Sequence, residues 1–75
     1  LEDGRLLYDN SPLEKILNDL GRWYNIYVFY SLYELRSYQF SLNMKKHEEF
    51  TQVLELIGKT GEVQFEIKDN TVIVK

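Results

Sequence analysis

The sequence predicts an α+β domain with the element order β-α-β-β-α-β-β, and three observations carry that prediction. Apolar residues recur at three- and four-residue steps in two segments, and they alternate with polar residues in the segments around them. In addition, the chain matches itself at a shift of thirty-seven residues. The matched apolar positions include Leu13 with Phe50, Ile16 with Val53, Leu17 with Leu54, Leu20 with Ile57, Ile26 with Val63, Val28 with Phe65 and Tyr30 with Ile67. We therefore expect two β-α-β quasi-repeats whose two helices pack on small sheets.

The chain opens with a turn and a short strand. Asp3-Gly4 is a turn signal, residues 5–8 have the composition of a strand, and Asp9-Asn10 is expected to end it. A helix should follow at once, because Ser11 and Glu14 have capping-box spacing and Pro12 suits the first helical position. Its inward stripe is expected to comprise Leu13, Ile16, Leu17, Leu20, Trp23 and Tyr24.

The glycine within this helix needs a reason, because glycine costs a helix interior about 1 kcal/mol relative to alanine. Gly21 is expected to mark either close packing or an early helix end. After Asn25 the period changes to two, which indicates a strand that turns Val28 and Tyr30 inward and leaves Tyr27 and Phe29 on the other face. A mixed connection over residues 31–37 follows.

The second half repeats the pattern. Alternation from Tyr38 to Met44 predicts a half-buried strand, and a second helix should start near Glu48, with a weaker cap than the first. Its inward stripe consists of Phe50, Val53, Leu54 and Ile57. Residues 58–61 should end this helix, and a closing pair of strands should meet at an Asp69-Asn70 hairpin turn.

The length, the cysteine content and the net charge of the chain limit the range of possible functions. Seventy-five residues suit one domain spanning 1–75, and the absence of cysteine excludes disulfides and thiolate metal sites. The net charge of −3 disfavours nucleic acid as a partner, because phosphate binding requires excess positive charge. No apolar run is long enough to cross a bilayer. The chain starts at Leu1 without a methionine, so we expect a piece of a larger protein that carries its own targeting or membrane segments.

Motifs that suggest catalysis, a cofactor or a metal are weak. Gly58 and Gly61 have the spacing of an RNA-clamping loop but lie between a helix and a strand, where a helix stop explains them. His47 is the only histidine and lacks a partner that would complete a metal site or a triad. We predict no catalytic, cofactor-binding or metal-binding residues.

Aromatic residues form the unusual feature of the chain. Eight of the eleven fall between Trp23 and Phe40. The second repeat carries Gln64 and Glu66 at the positions of Tyr27 and Phe29, so the shared core does not require aromatic residues there. Aromatic side chains are favoured at recognition surfaces because they combine large apolar area with little rotamer entropy. We predict a partner-binding surface formed by Tyr27, Phe29, Tyr33 and Tyr38; alternatively, a neighbouring strand, a loop or another part of the parent protein covers these rings.

Five segments in this order and spacing resemble a known family. They are residues 3–10 (DGRLLYDN), 11–17 (SPLEKIL), 22–26 (RWYNI), 50–56 (FTQVLEL) and 65–70 (FEIKDN). Together they resemble the C-terminal domain of FecR-type anti-sigma factors, whose fold is similar to the short N-terminal domains of secretins and TonB-dependent transporters. Two β-α-β units set side by side are typical of that fold.

The resemblance implies a function in signal transduction without catalysis or cofactors. FecR-type proteins hold a sigma factor through a cytoplasmic part, cross the inner membrane once and end in a soluble periplasmic domain. That domain receives a signal from the N-terminal domain of a TonB-dependent outer-membrane transporter. The alternative function is that of a secretin- or transporter-type N-terminal signalling or assembly module, which would share the fold.

Overall fold

The structure, a computed structural model, describes residues 5–45 and 49–75 and has the predicted α+β element order with one added 3₁₀ helix. The elements are β1 (Arg5–Pro12), α1 (Leu13–Tyr24), β2 (Tyr27–Tyr30), the 3₁₀ helix η1 (Tyr33–Ser37), β3 (Gln39–Lys45), α2 (Phe50–Gly58), β4 (Phe65–Lys68) and β5 (Thr71–Val74). The predicted turn at Asp3-Gly4 and the histidine His47 lie outside the described residues.

The strands form two small sheets. Antiparallel β1 and β3 make the first sheet, and the second has the order β2-β5-β4. In that second sheet β5 lies parallel to β2 and antiparallel to β4. The hairpin that joins β4 to β5 turns at Asp69-Asn70, as predicted, with Asp69 at a φ of 54°.

The core confirms the hydrophobic periodicity of both repeats. Ile16, Leu17, Leu20 and Ile26 are buried, and their second-repeat counterparts are buried with them. The buried apolar side chains are Leu6, Leu13, Ile16, Leu17, Leu20, Ile26, Leu35, Phe40, Leu42, Val53, Leu54, Ile57, Val63, Val72 and Val74. Two counterpart pairs differ: Leu13 is buried whereas Phe50 is half-buried, and Tyr30 is half-buried whereas Ile67 is 40% exposed.

The predicted end of the first strand is wrong. Asp9-Asn10 does not stop β1 but forms an irregularity within it, between the pairs Tyr8 with Leu42 and Ser11 with Phe40. Asn10 takes a φ of 55°, a conformation that asparagine tolerates better than most residues. The Asn10 N–H donates to the Ser41 hydroxyl at 2.9 Å, so the strand continues past the bulge.

The predicted helix caps are also wrong. Ser11 still belongs to β1, Pro12 keeps an extended ψ of 146°, and no side chain caps α1. Instead, the Leu13 N–H donates to the carbonyl oxygen of Tyr38 at 2.6 Å. A backbone acceptor from a distant segment thus satisfies a group that a local cap was expected to satisfy.

The second helix has the stronger cap of the two. It begins at Phe50, two residues after Glu48, the predicted approximate start, which lies outside the described residues. Glu49 and Gln52 form a complete capping box, in which the Glu49 N–H donates to Gln52 Oε1 at 3.0 Å. Glutamate is an uncommon N-cap, which is why the sequence pattern did not reveal this box.

Gly21 marks close packing, which was one of its two predicted roles. A Cβ at this position would lie 3.2 Å from the carbonyl oxygen of Ile26, and α1 continues past it to Tyr24. The helix therefore lies close to the chain that enters β2. Close approach explains why a glycine is tolerated within this helix despite its cost.

Candidate interaction surface

Tyr27 and Phe29 project from the outer face of β2, as the sequence predicted. Their exposed fractions are 66% and 62%, whereas Val28 and Tyr30 between and beyond them turn toward the core. The alternation follows from the two-residue period of a strand. Because β2 is an edge strand, both rings lie at the edge of this sheet.

The outer face continues across the sheet. In register with Phe29 lies Ile73 of β5, and opposite Ile73 lies Glu66 of β4. Glu66 Oε1 accepts a hydrogen bond from Lys75 Nζ at 2.8 Å. This hydrogen bond and the lysine charge lower the pKa of the Glu66 carboxyl. The face is thus aromatic at the β2 edge, aliphatic at its centre and charged at the β4 edge.

The outer edge of β2 offers backbone groups as well as rings. The Tyr27 N–H donates to the Asn70 carbonyl at 2.8 Å, and the Ser31 N–H donates to the Val74 carbonyl at 2.9 Å. In a parallel pair, alternate residues direct their backbone groups to the same neighbour. Val28 and Tyr30 therefore direct theirs to the opposite edge, where no strand of the described chain pairs with β2.

Tyr33 lies on η1 and is the most exposed of the four predicted residues, at 74%. The guanidinium carbon of Arg36 lies 4.0 Å from the centroid of its ring, within cation–π distance. Arg36 also donates from Nη1 to Glu14 Oε2 of α1 at 2.6 Å. The ion pair with Glu14 of α1 therefore holds Arg36 over one face of the Tyr33 ring.

Tyr30, the last residue of β2, has a buried hydroxyl that Glu14 and Arg36 affect electrostatically. The Tyr30 Oη and the Arg36 Nε are both buried and have no hydrogen-bond partner among the described residues. Burial and the nearby Glu14 charge raise the pKa of Tyr30 to about 12, against a lowering effect of Arg36. Tyr30, Arg36 and Glu14 thus form one electrostatic cluster that joins β2, η1 and α1.

Tyr38 is the least exposed of the four predicted residues. It directly follows η1, is 36% exposed, and supplies the carbonyl that accepts from Leu13 at the start of α1. The four residues consequently form two groups. Tyr27 and Phe29 share the outer face of β2, whereas Tyr33 and Tyr38 belong to the segment that packs on α1. No ring contact links any two of the four within the described chain.

The pattern reasoning missed two apolar residues near these rings. Leu32, between β2 and η1, is exposed, and Ile73 is only half-buried on the outer face of the central strand β5. The Leu32 position belongs to a connection, where periodicity gives no face. Ile73 could have been found from the alternation of residues 71–74, which assigns Val72 and Val74 to the core and leaves Ile73 outside.

A charge cluster lies along the middle of α1, around the buried carboxylate of Asp19. The Tyr8 hydroxyl donates to Asp19 Oδ2 at 2.6 Å, and Arg22 and Lys15 pair with the same carboxylate at 2.7 and 3.4 Å. Asp19 is buried, and its charge is balanced by two exposed bases one helical turn away on either side. Burial, together with the hydrogen bond to Asp19, raises the pKa of the Tyr8 hydroxyl well above its ordinary value, although Arg22 acts in the opposite direction.

Within 5–45 and 49–75, no group of three histidine, cysteine, aspartate or glutamate side chains is arranged to hold a metal ion. Over the same residues, neither helix has the length and apolar content that a membrane crossing requires.

The comparisons with known proteins agree with this fold. Two crystal structures of a candidate anti-sigma factor from Parabacteroides distasonis ATCC 8503, at 1.65 and 2.50 Å, superpose with TM-scores of 0.81 and 0.80 at 15% identity. They cover 96% and 95% of this chain, which spans about a third of each of them, 34% and 33%. At that identity the similarity establishes the fold. No curated protein matches the chain.

A sequence-family match goes further than the shared fold. Residues 5–74 match the family described as FecR, C-terminal, and thus extend from the first residue of β1 to the last residue of β5. All the described elements lie within the match, including the outer face of β2 and the segment around η1. The chain therefore belongs to the FecR C-terminal domain family.

Proposed function

We propose that this chain is a single signal-receiving domain of an anti-sigma factor and that it binds the N-terminal signalling domain of a TonB-dependent outer-membrane transporter. In this proposal the domain lies in the periplasm, and its membrane-anchored parent holds a sigma factor through a cytoplasmic part. The domain acts by binding and not by catalysis. Neither nucleic acid nor a cofactor takes part.

One observation carries the proposal: two large aromatic rings stand exposed on an edge strand of a domain whose core is complete without them. Tyr27 and Phe29 lie outside the buried set, and their counterparts in the second repeat are the polar residues Gln64 and Glu66. Exposed aromatic residues of this size are typical anchors of protein interfaces. The family match and the anti-sigma factor structures with the same fold support this kind of partner.

The structure suggests how a partner would engage. The rings of Tyr27 and Phe29 offer apolar contact on the outer face, while the Val28 and Tyr30 backbone groups offer hydrogen bonds at the edge of the same strand. A partner strand added beside β2 would use both. Tyr33 would contact the partner beyond the end of β2, and Tyr38 would add a smaller area.

The test replaces the two rings with the residues of the second repeat. The Tyr27→Gln/Phe29→Glu variant is titrated by calorimetry with purified N-terminal signalling domains of the TonB-dependent transporters from the same genome. We expect at least about a tenfold loss of affinity, because interface aromatic residues commonly contribute more than 1 kcal/mol each. The thermal midpoint should stay within about 5 °C of the wild-type value, since the rings are not core residues.

A matched control separates this surface from general hydrophobicity. Leu7 is 54% exposed on β1 of the other sheet, so Leu7→Gln removes a comparable exposed apolar group at a distant site. Binding should be unchanged in this variant. Wild-type affinity in the Tyr27→Gln/Phe29→Glu variant would contradict the proposal, and so would unfolding of that variant, which would make the rings part of the core.

A further inference from the structure

An open groove lies between α2 and β4, on the side of the molecule formed by the second repeat. Its volume is roughly 420 Å³, and its lining residues are Thr51, Leu54, Glu55, Gly58, Val63, Gln64, Phe65 and Ile67. Ile67 belongs to the predicted strand face yet is 40% exposed, which shows that the groove leaves apolar surface open to solvent.

The internal repeat identifies the counterpart of this groove in the first half of the chain. At the shift of thirty-seven residues, every lining residue falls on a residue of α1 or on the chain from Ile26 through β2. Thr51 falls on Glu14, Gly58 on Gly21 and Ile67 on Tyr30. The two halves thus present the same helix and strand faces to this space.

In the first half that space is covered by the chain itself. The helix η1 packs against α1 and β2, with Leu35 buried in the core. Arg36 forms its ion pair with Glu14 and lies near enough to affect the Tyr30 hydroxyl electrostatically. The two residues that correspond to Thr51 and Ile67 are therefore those that η1 engages.

The second half has no equivalent cover among the described residues. The residues that correspond to η1 follow β4, but they form the hairpin and β5, which pairs between β2 and β4. Since that segment is used in the sheet, it is not available to the groove. The exposure of Ile67, against the half-burial of Tyr30, is the direct consequence.

The walls of the groove define what would fit. Leu54, Val63 and Phe65 supply an apolar floor, and Gly58 leaves open space where a side chain would stand, since a Cβ there would meet nothing within 4 Å. The charged lining residue is Glu55, one helical turn beyond the Thr51 position that matches Glu14. A carboxylate therefore faces both spaces, displaced by one turn in the second.

We propose that the groove between α2 and β4 is a second binding site, which accepts a short segment of another protein with the chemistry of η1. The segment would place a leucine-sized apolar side chain on Leu54, Val63 and Phe65, and a neighbouring basic side chain beside Glu55. The η1 helix of the same chain cannot supply this segment, because its matching side chain, Leu35, is already buried in its own half. The proposal goes beyond the transporter interface and does not depend on it.

The probe for this site is available from the chain itself. A synthetic peptide of residues 31–38 (SLYELRSY) carries the Leu35-Arg36 pair that occupies the first space. It is titrated into the isotope-labelled 75-residue chain while amide signals are followed by NMR. We expect saturable shifts on the groove residues of α2 and β4, with a dissociation constant on the order of 1 mM, as suits one apolar anchor on a short flexible peptide.

Two altered peptides test the proposed chemistry. A Leu35→Ala peptide should bind about tenfold more weakly or worse, because the apolar anchor is lost. An Arg36→Glu peptide should also bind more weakly, and raising the salt concentration should reduce its difference from the parent peptide, since the contact with Glu55 is exposed and screened. Equal binding by the Leu35→Ala peptide would overturn the proposal.

Two variants of the domain test the location. Gly58→Leu places a side chain into the groove and should abolish the shifts, whereas Leu56→Gln, at an exposed position of α2 outside the groove lining, should retain binding and serves as the control. The wild-type titration does not depend on the fold of either variant. Absence of shifts at peptide concentrations of several millimolar would overturn the proposal, and so would shifts centred on Glu14 and Leu17, which would show exchange with η1 at the first space.

Discussion

Two tyrosine hydroxyls in opposite hydrogen-bonding situations allow a sharp test of what each contributes to stability. The Tyr8 hydroxyl donates at 2.6 Å to Asp19, a buried carboxylate, whereas the Tyr30 hydroxyl is buried without a hydrogen-bond partner in the described chain. Replacing each with phenylalanine removes one oxygen atom and leaves the ring. The two variants are therefore matched in volume and differ in the bond that is lost.

Tyr8→Phe is expected to destabilise the chain, whereas Tyr30→Phe is expected to leave its stability unchanged or to raise it. A hydrogen bond to a charged group contributes about 1.5 to 3 kcal/mol, and Asp19 keeps Arg22 and Lys15 as partners, so Tyr8→Phe should lower the free energy of unfolding by about 1.5 kcal/mol. Tyr30→Phe removes a buried group that gains no protein hydrogen bond. The free energy of unfolding should therefore stay the same or rise by up to about 1 kcal/mol.

Urea unfolding at pH 7, followed by the fluorescence of the single tryptophan Trp23, measures both variants. The Tyr8→Phe midpoint should fall well below the wild-type midpoint, with an unchanged slope, while the Tyr30→Phe midpoint should equal or exceed it. Equal losses in both variants would refute the assignment of the two hydroxyls. A stable Tyr8→Phe variant together with an unstable Tyr30→Phe variant would reverse it.

Two further predictions concern stability. Gly21→Ala should destabilise the chain, because its Cβ would stand 3.2 Å from the Ile26 carbonyl oxygen. Gly58→Ala should stabilise the chain by about 0.5 to 1 kcal/mol, because its Cβ would meet no other atom within 4 Å. Thermal unfolding of both variants compares these effects directly. Because Tyr30 has a pKa of about 12 in the fold and 10 in an ordinary setting, the native state retains its proton longer than the unfolded chain does. The stability that follows from this pKa difference is fully present below about pH 10 and is lost as the pH rises toward 12. The urea midpoint of the wild-type chain should therefore fall over that range, and the midpoint of Tyr30→Phe should fall less steeply. An identical pH dependence of the urea midpoint in the wild-type chain and in Tyr30→Phe would contradict this prediction.

Hydrophobic periodicity was sufficient to predict most of the fold. The element order, both inward helix stripes and the hairpin at Asp69-Asn70 follow from local spacing, because burial imposes its period on the sequence wherever an element has one apolar face. The repeat strengthened these assignments by giving each helix a second, independent copy. It also separated Tyr27 and Phe29 from the core, because their second-repeat counterparts are Gln64 and Glu66.

The features that sequence could not predict depend on contacts between distant segments. The start of α1 is capped by the carbonyl of Tyr38, twenty-five residues away, so no local pattern could reveal it. The bulge at Asn10 and the insertion of β5 between β2 and β4 are also results of strand pairing. The open groove arises for the same reason, since only the pairing of β5 shows that the second half lacks the cover that η1 gives the first.

The central claim is that the outer face and free edge of β2 form the partner-binding surface we propose for this FecR C-terminal domain. NMR mapping of the labelled chain, titrated with the transporter signalling domain that binds it in the calorimetric test, measures this most directly. We predict that the largest amide shifts and line broadening fall on β2 and extend to Tyr33 on η1. Perturbation confined to β1 and β3, with β2 unaffected, would contradict the claim.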